Sequence, residues 1–101
     1  MKTLTNKITA NVMVVTLELA SEWLANNHTS RRKNPAEIER LARVILDDQW
    51  IINGEAIVLD ADGRLLDGQH RLEAIILAGL PVSSVVVRGV DPRAADTIDV
   101  H

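Results

Sequence analysis

Apolar residues change their spacing several times along the chain, and each change predicts an element. Residues 7 to 15 are rich in β-branched and apolar side chains, which predicts a strand. Thr16 then offers an N-cap, and Leu17, Ala20, Trp23 and Leu24 recur at helical spacing until Asn26-Asn27 ends the pattern. A second helix has the clearest start. Asn34 can cap it, the fixed φ of Pro35 suits the first helical position, and Glu37 completes a capping-box pattern three residues on. Its buried stripe is expected to be Ile38, Leu41, Ala42, Ile45 and Leu46, and the apolar helical placement of Trp23 and Trp50 assigns both indoles to the core.

Beyond Trp50 the pattern shortens to Ala56-Ile57-Val58-Leu59, a turn at Asp60-Ala61-Asp62-Gly63 and a brief Arg64-Leu65-Leu66, which predicts a small hairpin. A third helix is expected from Gln69 to Ala78, with Leu72, Ile75, Ile76 and Leu80 on one face and Gly79 closing it. A buried strand from Val82 to Arg88 follows, and Pro92 to Ile98 begins a further helix. The mixture predicts an α/β (α+β) fold, a small mixed sheet packed by helices. At 101 residues there is room for one core, so residues 1–101 are read as a single domain.

Composition narrows the function. With 47% hydrophobic and 25% charged residues, the chain reads as a soluble globular protein. The run Val12-Met13-Val14-Val15 is too short for a signal peptide, and Ala74 to Val82, broken by Gly79 and Pro81, is too short for a bilayer span. No membrane partner is expected, and the cytoplasm is the default location. There are no cysteines, which excludes disulfides, thiolate metal sites and a cysteine nucleophile. A net charge of −3 disfavours general affinity for duplex DNA. The basic residues that exist sit early: the first 50 residues hold seven basic and six acidic side chains, the remainder four and eight.

The segment that carries chemistry is Leu66-Asp67-Gly68-Gln69-His70-Arg71-Leu72-Glu73-Ala74, where a strand end, a glycine and a helix start meet. Free backbone N–H groups at a helix N-terminus attract anions, glycine permits close approach, and Arg71 offers a planar fork to phosphate oxygens. His70 can donate a hydrogen bond or shuttle a proton. Asp67 opposes a phosphate unless its side chain turns away or a divalent cation intervenes. The same residues also fit a plainer role, in which Asp67 caps, Gly68 turns, and Arg71 and Glu73 are solvated.

The string Asp-Gly-Gln-His-Arg-Leu-Glu-Ala over residues 67–74, with the preceding Ile57-Val58-Leu59-Asp60 and the apolar helix after it, resembles the signature segment of the ParB/sulfiredoxin superfamily. The resemblance runs from about Asn34 to Val90. In that superfamily the segment cradles nucleotide phosphates, which implies that Gly68, Gln69, His70 and Arg71 bind CTP, ATP or ADP with Mg²⁺. Sulfiredoxins carry their catalytic cysteine where Gln69 stands, so sulfinic acid reduction is excluded. ParB proteins read Gly-Glu-Arg-Arg, matched here only at Gly68 and Arg71, whereas ADP-using free serine kinases read Asp-Gly-His-His-Arg, matched at Asp67, Gly68, His70 and Arg71. The base is left open. Small ParB-like proteins of phages and mobile elements often carry Asp-Gly-Gln-His-Arg-Leu and an upstream Trp such as Trp50. The second phosphate motif, helix-turn-helix domain and dimerising tail of full ParB proteins do not fit in 101 residues, so sequence-specific DNA clamping is not expected.

Three functions follow as expectations. The first is nucleotide binding in phage or plasmid DNA metabolism or regulation. The second is an enzyme, a nuclease or phosphotransferase, with Asp67 or Glu73 as base or magnesium ligand and His70 as acid. The third is a non-catalytic interaction module, such as a phage inhibitor of a host protein. Arg31-Arg32-Lys33 is a weaker candidate for nucleic-acid contact, and a solvated loop explains it equally. With Trp23 and Trp50 as the only aromatics, a stacking platform for single strands is disfavoured. Asp60, Asp62, Asp67 and Asp99 could gather magnesium, but a hairpin turn accounts for the first pair without it. His28, His70 and His101 are too far apart in sequence to read as a metal site, and oligomeric state is not legible.

Overall fold

The computed structural model describes residues 8–27 and 32–96. It contains β1 (Thr9–Val15), α1 (Leu17–Ala25), α2 (Pro35–Leu46), β2 (Ala56–Asp60), β3 (Leu65–Asp67), α3 (Gln69–Ala78) and β4 (Val82–Val90), followed by a short 3-10 helix, Pro92–Asp96. The strands form one four-stranded sheet in the order β1-β4-β2-β3. β4 runs antiparallel to β1 and parallel to β2, while β2 and β3 form an antiparallel hairpin. The fold is therefore α+β with a mixed sheet. None of the described helices is long and apolar enough to cross a membrane.

Local chemistry explains most element ends. Thr16 Oγ1 accepts from the Leu19 amide at 3.1 Å, and Asn34 Oδ1 accepts from the Glu37 amide at 3.3 Å, so both expected N-caps form. The capping box is only half built. The Glu37 carboxylate turns to Arg40, and the Asn34 amide donates instead to His70 Nε2 at 3.0 Å. Asp60 Oδ1 organises the hairpin turn by accepting from the Asp62 and Arg64 amides, both at 2.8 Å.

The core lies where one sheet face meets the helices. Val15, Ile57, Leu59, Leu65 and Val86 meet Ala20 and Trp23 of α1, Ala42 and Ile45 of α2, and Leu72, Ala74 and Ile75 of α3. Two expected stripes are corrected at their ends. Leu46 of α2 is exposed, and so are Ile76 and Leu80, whereas Gln69 and Arg71 are buried. The buried arc of α3 is thus turned toward its N-terminal polar residues. The predicted final helix is a 3-10 turn, and Ile98 lies outside the described residues.

The placement of Trp50 is corrected too. α2 stops at Leu46, and Asp48 adopts the left-handed conformation with φ 58°. The Gln49 amide reaches back to the Val44 carbonyl and the Asp48 amide to that of Ile45, closing a Schellman motif without glycine. Trp50 therefore lies past the helix, half-buried, and its Nε1 donates to the Ser83 carbonyl at 2.9 Å. Because a Cβ in the left-handed region is strained, Asp48→Gly is expected to raise stability by up to ~1 kcal/mol in urea denaturation.

At the far end of β4, Arg93 grips the Asp91 carboxylate through Nε and Nη2, the closest contact being 2.6 Å. This side-chain bond, helped by the Arg93 amide, lowers the Asp91 pKa from 3.8 to about 2. A carboxylate depressed on folding stabilises the fold fully above its unfolded value, and that contribution fades as pH falls through the folded one. NMR titration should therefore find Asp91 half-protonated near pH 2, and Arg93→Ala should move the midpoint up toward 3.8.

Candidate functional site

β3 delivers the chain to Asp67, and one residue then reverses it into α3. That residue is Gly68, with φ 106° and ψ 13°, a conformation open to glycine and strained for other residues. Space restricts the position as well. A Cβ at Gly68 would lie 3.0 Å from Ile57 Cα and 3.1 Å from Ile57 Cγ1, so the turn presses on the neighbouring strand β2. Gly68 is the N-cap of α3 and offers no side-chain acceptor. The first intrahelical bond runs from the Leu72 amide to the Gly68 carbonyl, so the amides of Gln69, His70 and Arg71 precede the helical ladder.

Asp67 does not cap these amides, in contrast to the plainer role open to it. Its Oδ1 accepts from the Gly68 amide at 2.9 Å, one residue before the helix. The helix start therefore keeps the positive end of its dipole uncovered by its own cap.

Arg71 is 8% exposed and held on three sides. Nη2 donates to Asn53 Oδ1 at 3.2 Å and to Glu55 Oε1 at 3.1 Å, and the guanidinium lies 4.9 Å from the centroid of the Trp50 ring. Both hydrogen bonds use Nη2; Nε and Nη1 have no partner among the described residues. Trp50, anchored to β4 through Ser83, thus holds its ring against the guanidinium. Gln69 is buried as well, at 4% exposure, and its Oε1 has no hydrogen-bond partner among the described residues. A buried carbonyl without a donor is costly, about 1–3 kcal/mol, and a ligand or solvent donor would relieve it.

These groups line an open cleft of about 1210 Å³ between α2, the loop after it and the start of α3. Gly68, Gln69, His70 and Arg71 are all on its wall, with Asp67, Arg32 and Lys33 beside them. Leu41, Val44, Trp50 and Ile51 add apolar lining. Arg31, His28, Asp99 and His101 lie outside the described residues. Glu73 pairs with Lys33 at 2.8 Å and does not line the cleft. Among the described residues no three acidic or histidine side chains are grouped to hold a metal ion.

The electrostatics are nearly balanced. Lys33 is paired with Glu73, Arg40 with Glu37 and Arg71 with Glu55. Arg32 has no carboxylate partner among the described residues. The Arg40 hydrogen bond is the main cause of a lowered Glu37 pKa, and the charge of Arg40 adds to it. His70 Nε2 accepts from Asn34, which places the ring hydrogen on Nδ1. An anion can therefore be met by Nδ1–H, while Nε2, an acceptor, offers it no donor.

Trp50, Asn53, Glu55 and Asn34 are site members that spacing did not reveal. They sit in a loop or at a helix cap, where no periodicity marks function, and tertiary packing alone brings them to Arg71 and His70.

No protein-family model matches the sequence, and no curated protein matches it. Among solved structures, the chain is similar to a Pnob8-like ParB-N domain at 18% identity, with a TM-score of 0.47. The match covers 89% of this chain and 34% of the other, so the chain spans about a third of that protein's length.

Replacing Gly68 tests how tightly the turn is constrained. Gly68→Ala places a Cβ against the β2 backbone at positive φ. It is expected to cost at least ~1 kcal/mol in chemical denaturation.

Proposed function

We propose that the chain is a ParB-like nucleotide-binding domain that holds the phosphates of a nucleoside di- or triphosphate in the cleft at the start of α3. The observation that carries this reading is the juxtaposition of an uncapped helix N-terminus with a buried, pre-oriented arginine on the wall of one cleft. The Asp-Gly-Gln-His-Arg segment supports it, since its glycine, histidine and arginine lie together on that wall. The apolar side near Trp50 and Ile51 suits a base or sugar. Magnesium would arrive with the phosphates, because the described residues build no metal site of their own. The Asp67 carboxylate, on the cleft wall, is a hard oxygen donor suited to such a cation.

The paired cations do not preclude this. Exposed ion pairs such as Lys33–Glu73 are worth about 0–1 kcal/mol, less than a charge-assisted bond to phosphate at about 1.5–3 kcal/mol. A phosphate can therefore take Lys33 from its carboxylate. The near-neutral cleft favours a small, highly charged ligand over a duplex, which needs a broad basic surface. The biological setting we propose is phage or plasmid DNA metabolism, with the nucleotide as its signal or substrate.

Calorimetric titration with CTP, ATP and ADP, each with magnesium, tests the reading. Binding is expected, weakened ~10-fold or more by Lys33→Ala. Glu55→Gln, which relieves Arg71 of its carboxylate, should tighten binding several-fold while circular dichroism stays unchanged. A folded protein that binds none of the three overturns the reading and favours a protein-interaction module. Incubation with the same nucleotides and with DNA, followed by product analysis, separates binding from turnover.

A further inference from the structure

The two edges of the sheet differ sharply. β3 is three residues long, and Leu65 is already met from outside by a bridge to Asn27 and by the Asn26 carbonyl, 3.0 Å from its amide. β1 is seven residues long, and among the described residues no strand pairs with its outer edge. Its sequence, Thr-Ala-Asn-Val-Met-Val-Val, contains no charge, proline or glycine, and its register with β4 is unbroken from Thr9 to Val15. Among the described residues, this edge carries none of the usual devices against strand pairing: it is not short, charged, bulged or interrupted by proline.

Its outward face is apolar as well. Val12 and Val14 are 57% and 54% exposed. They share that face with Val85 and Val87 of β4, which the register sets opposite Val12 and Ala10. None of these four valines belongs to the core.

We propose that β1 is the interface between two copies of this chain, paired antiparallel about a two-fold axis through the middle of the strand. Three features select a second copy over another partner. The strand carries no charge, so two copies meet without repulsion and no oppositely charged partner is favoured. Antiparallel pairing of β1 with itself sets Val12 beside its own symmetry mate and Ala10 beside Val14, so one apolar face continues across the axis. Each copy has one open edge and one blunted edge, so pairing closes at two chains and does not propagate into a fibre. The result is a continuous eight-stranded sheet, with the cleft, which β1 does not line, left accessible in both copies.

Sedimentation velocity from micromolar to millimolar protein tests this. The wild type is expected to reach twice the 11.1 kDa chain mass, and Val12→Lys, which sets two like charges face to face, to remain at the chain mass with unchanged circular dichroism. Hydrogen exchange on the wild type alone gives a second readout, with β1 amides becoming more protected as concentration rises. If Val12→Lys fails to fold, Val14→Lys and the exchange measurement decide. A wild-type monomer throughout, a dimer that the lysine leaves intact, or β1 amides protected equally at all concentrations each overturns the proposal. The last result would mean that the chain's own residues cover the edge.

Discussion

The contact on which the candidate site depends is the one between Gly68 and the backbone of Ile57. It is a steric constraint first. With 3.0 Å between a notional Cβ and Ile57 Cα, the strand-to-helix turn packs closely on β2 only because position 68 has no side chain. That approach sets the start of α3 beside the sheet and carries Leu72 and Ile75 into the core. The uncapped amides of Gln69, His70 and Arg71 are consequences of the same residue, since glycine has nothing with which to cap them.

From this turn outward, the site is held by polar contacts that join separate elements. Trp50 ties the loop after α2 to β4 through the Ser83 carbonyl and supports the Arg71 guanidinium with its ring. Asn53 and Glu55, just before β2, take up Nη2 of the same arginine. His70 and Glu73 reach from α3 to Asn34 and Lys33 at the start of α2. Core packing sets where the helices lie, and these contacts set the width and charge of the space between them. Of the described cations that line the cleft, Lys33, Arg40 and Arg71 each have a carboxylate neighbour, so its charge is largely balanced from within.

The division between what the chain announces and what it conceals follows from range. Thr16 and Asn34 act on amides three residues away, and the Asp60 turn acts within four residues, so their roles were legible from neighbouring sequence. The helix end at Leu46 was not, because Asp48 occupies the left-handed position where glycine would have signalled a stop. Without that signal the helical pattern runs on into Trp50 and hides an indole that serves Arg71. The burial of Arg71 and Gln69 was concealed for the same kind of reason, since periodicity ranks apolar residues and says nothing of polar side chains that a neighbouring loop encloses.

The sequence by itself determined the element order, the α+β class, two helix caps, the hairpin turn and the segment where chemistry would concentrate, because all depend on residue type and short-range spacing. Only the tertiary structure decided that Asp67 leaves the helix start uncapped, that Glu55 and Trp50 hold Arg71 from one loop, and that His70 accepts a bond from Asn34. It also decided that the β3 edge is blunted and that β1 has no strand beyond it among the described residues. Apart from the local Asp67 contact, these are relations between residues 16 to 38 positions apart, settled when the helices and strands pack.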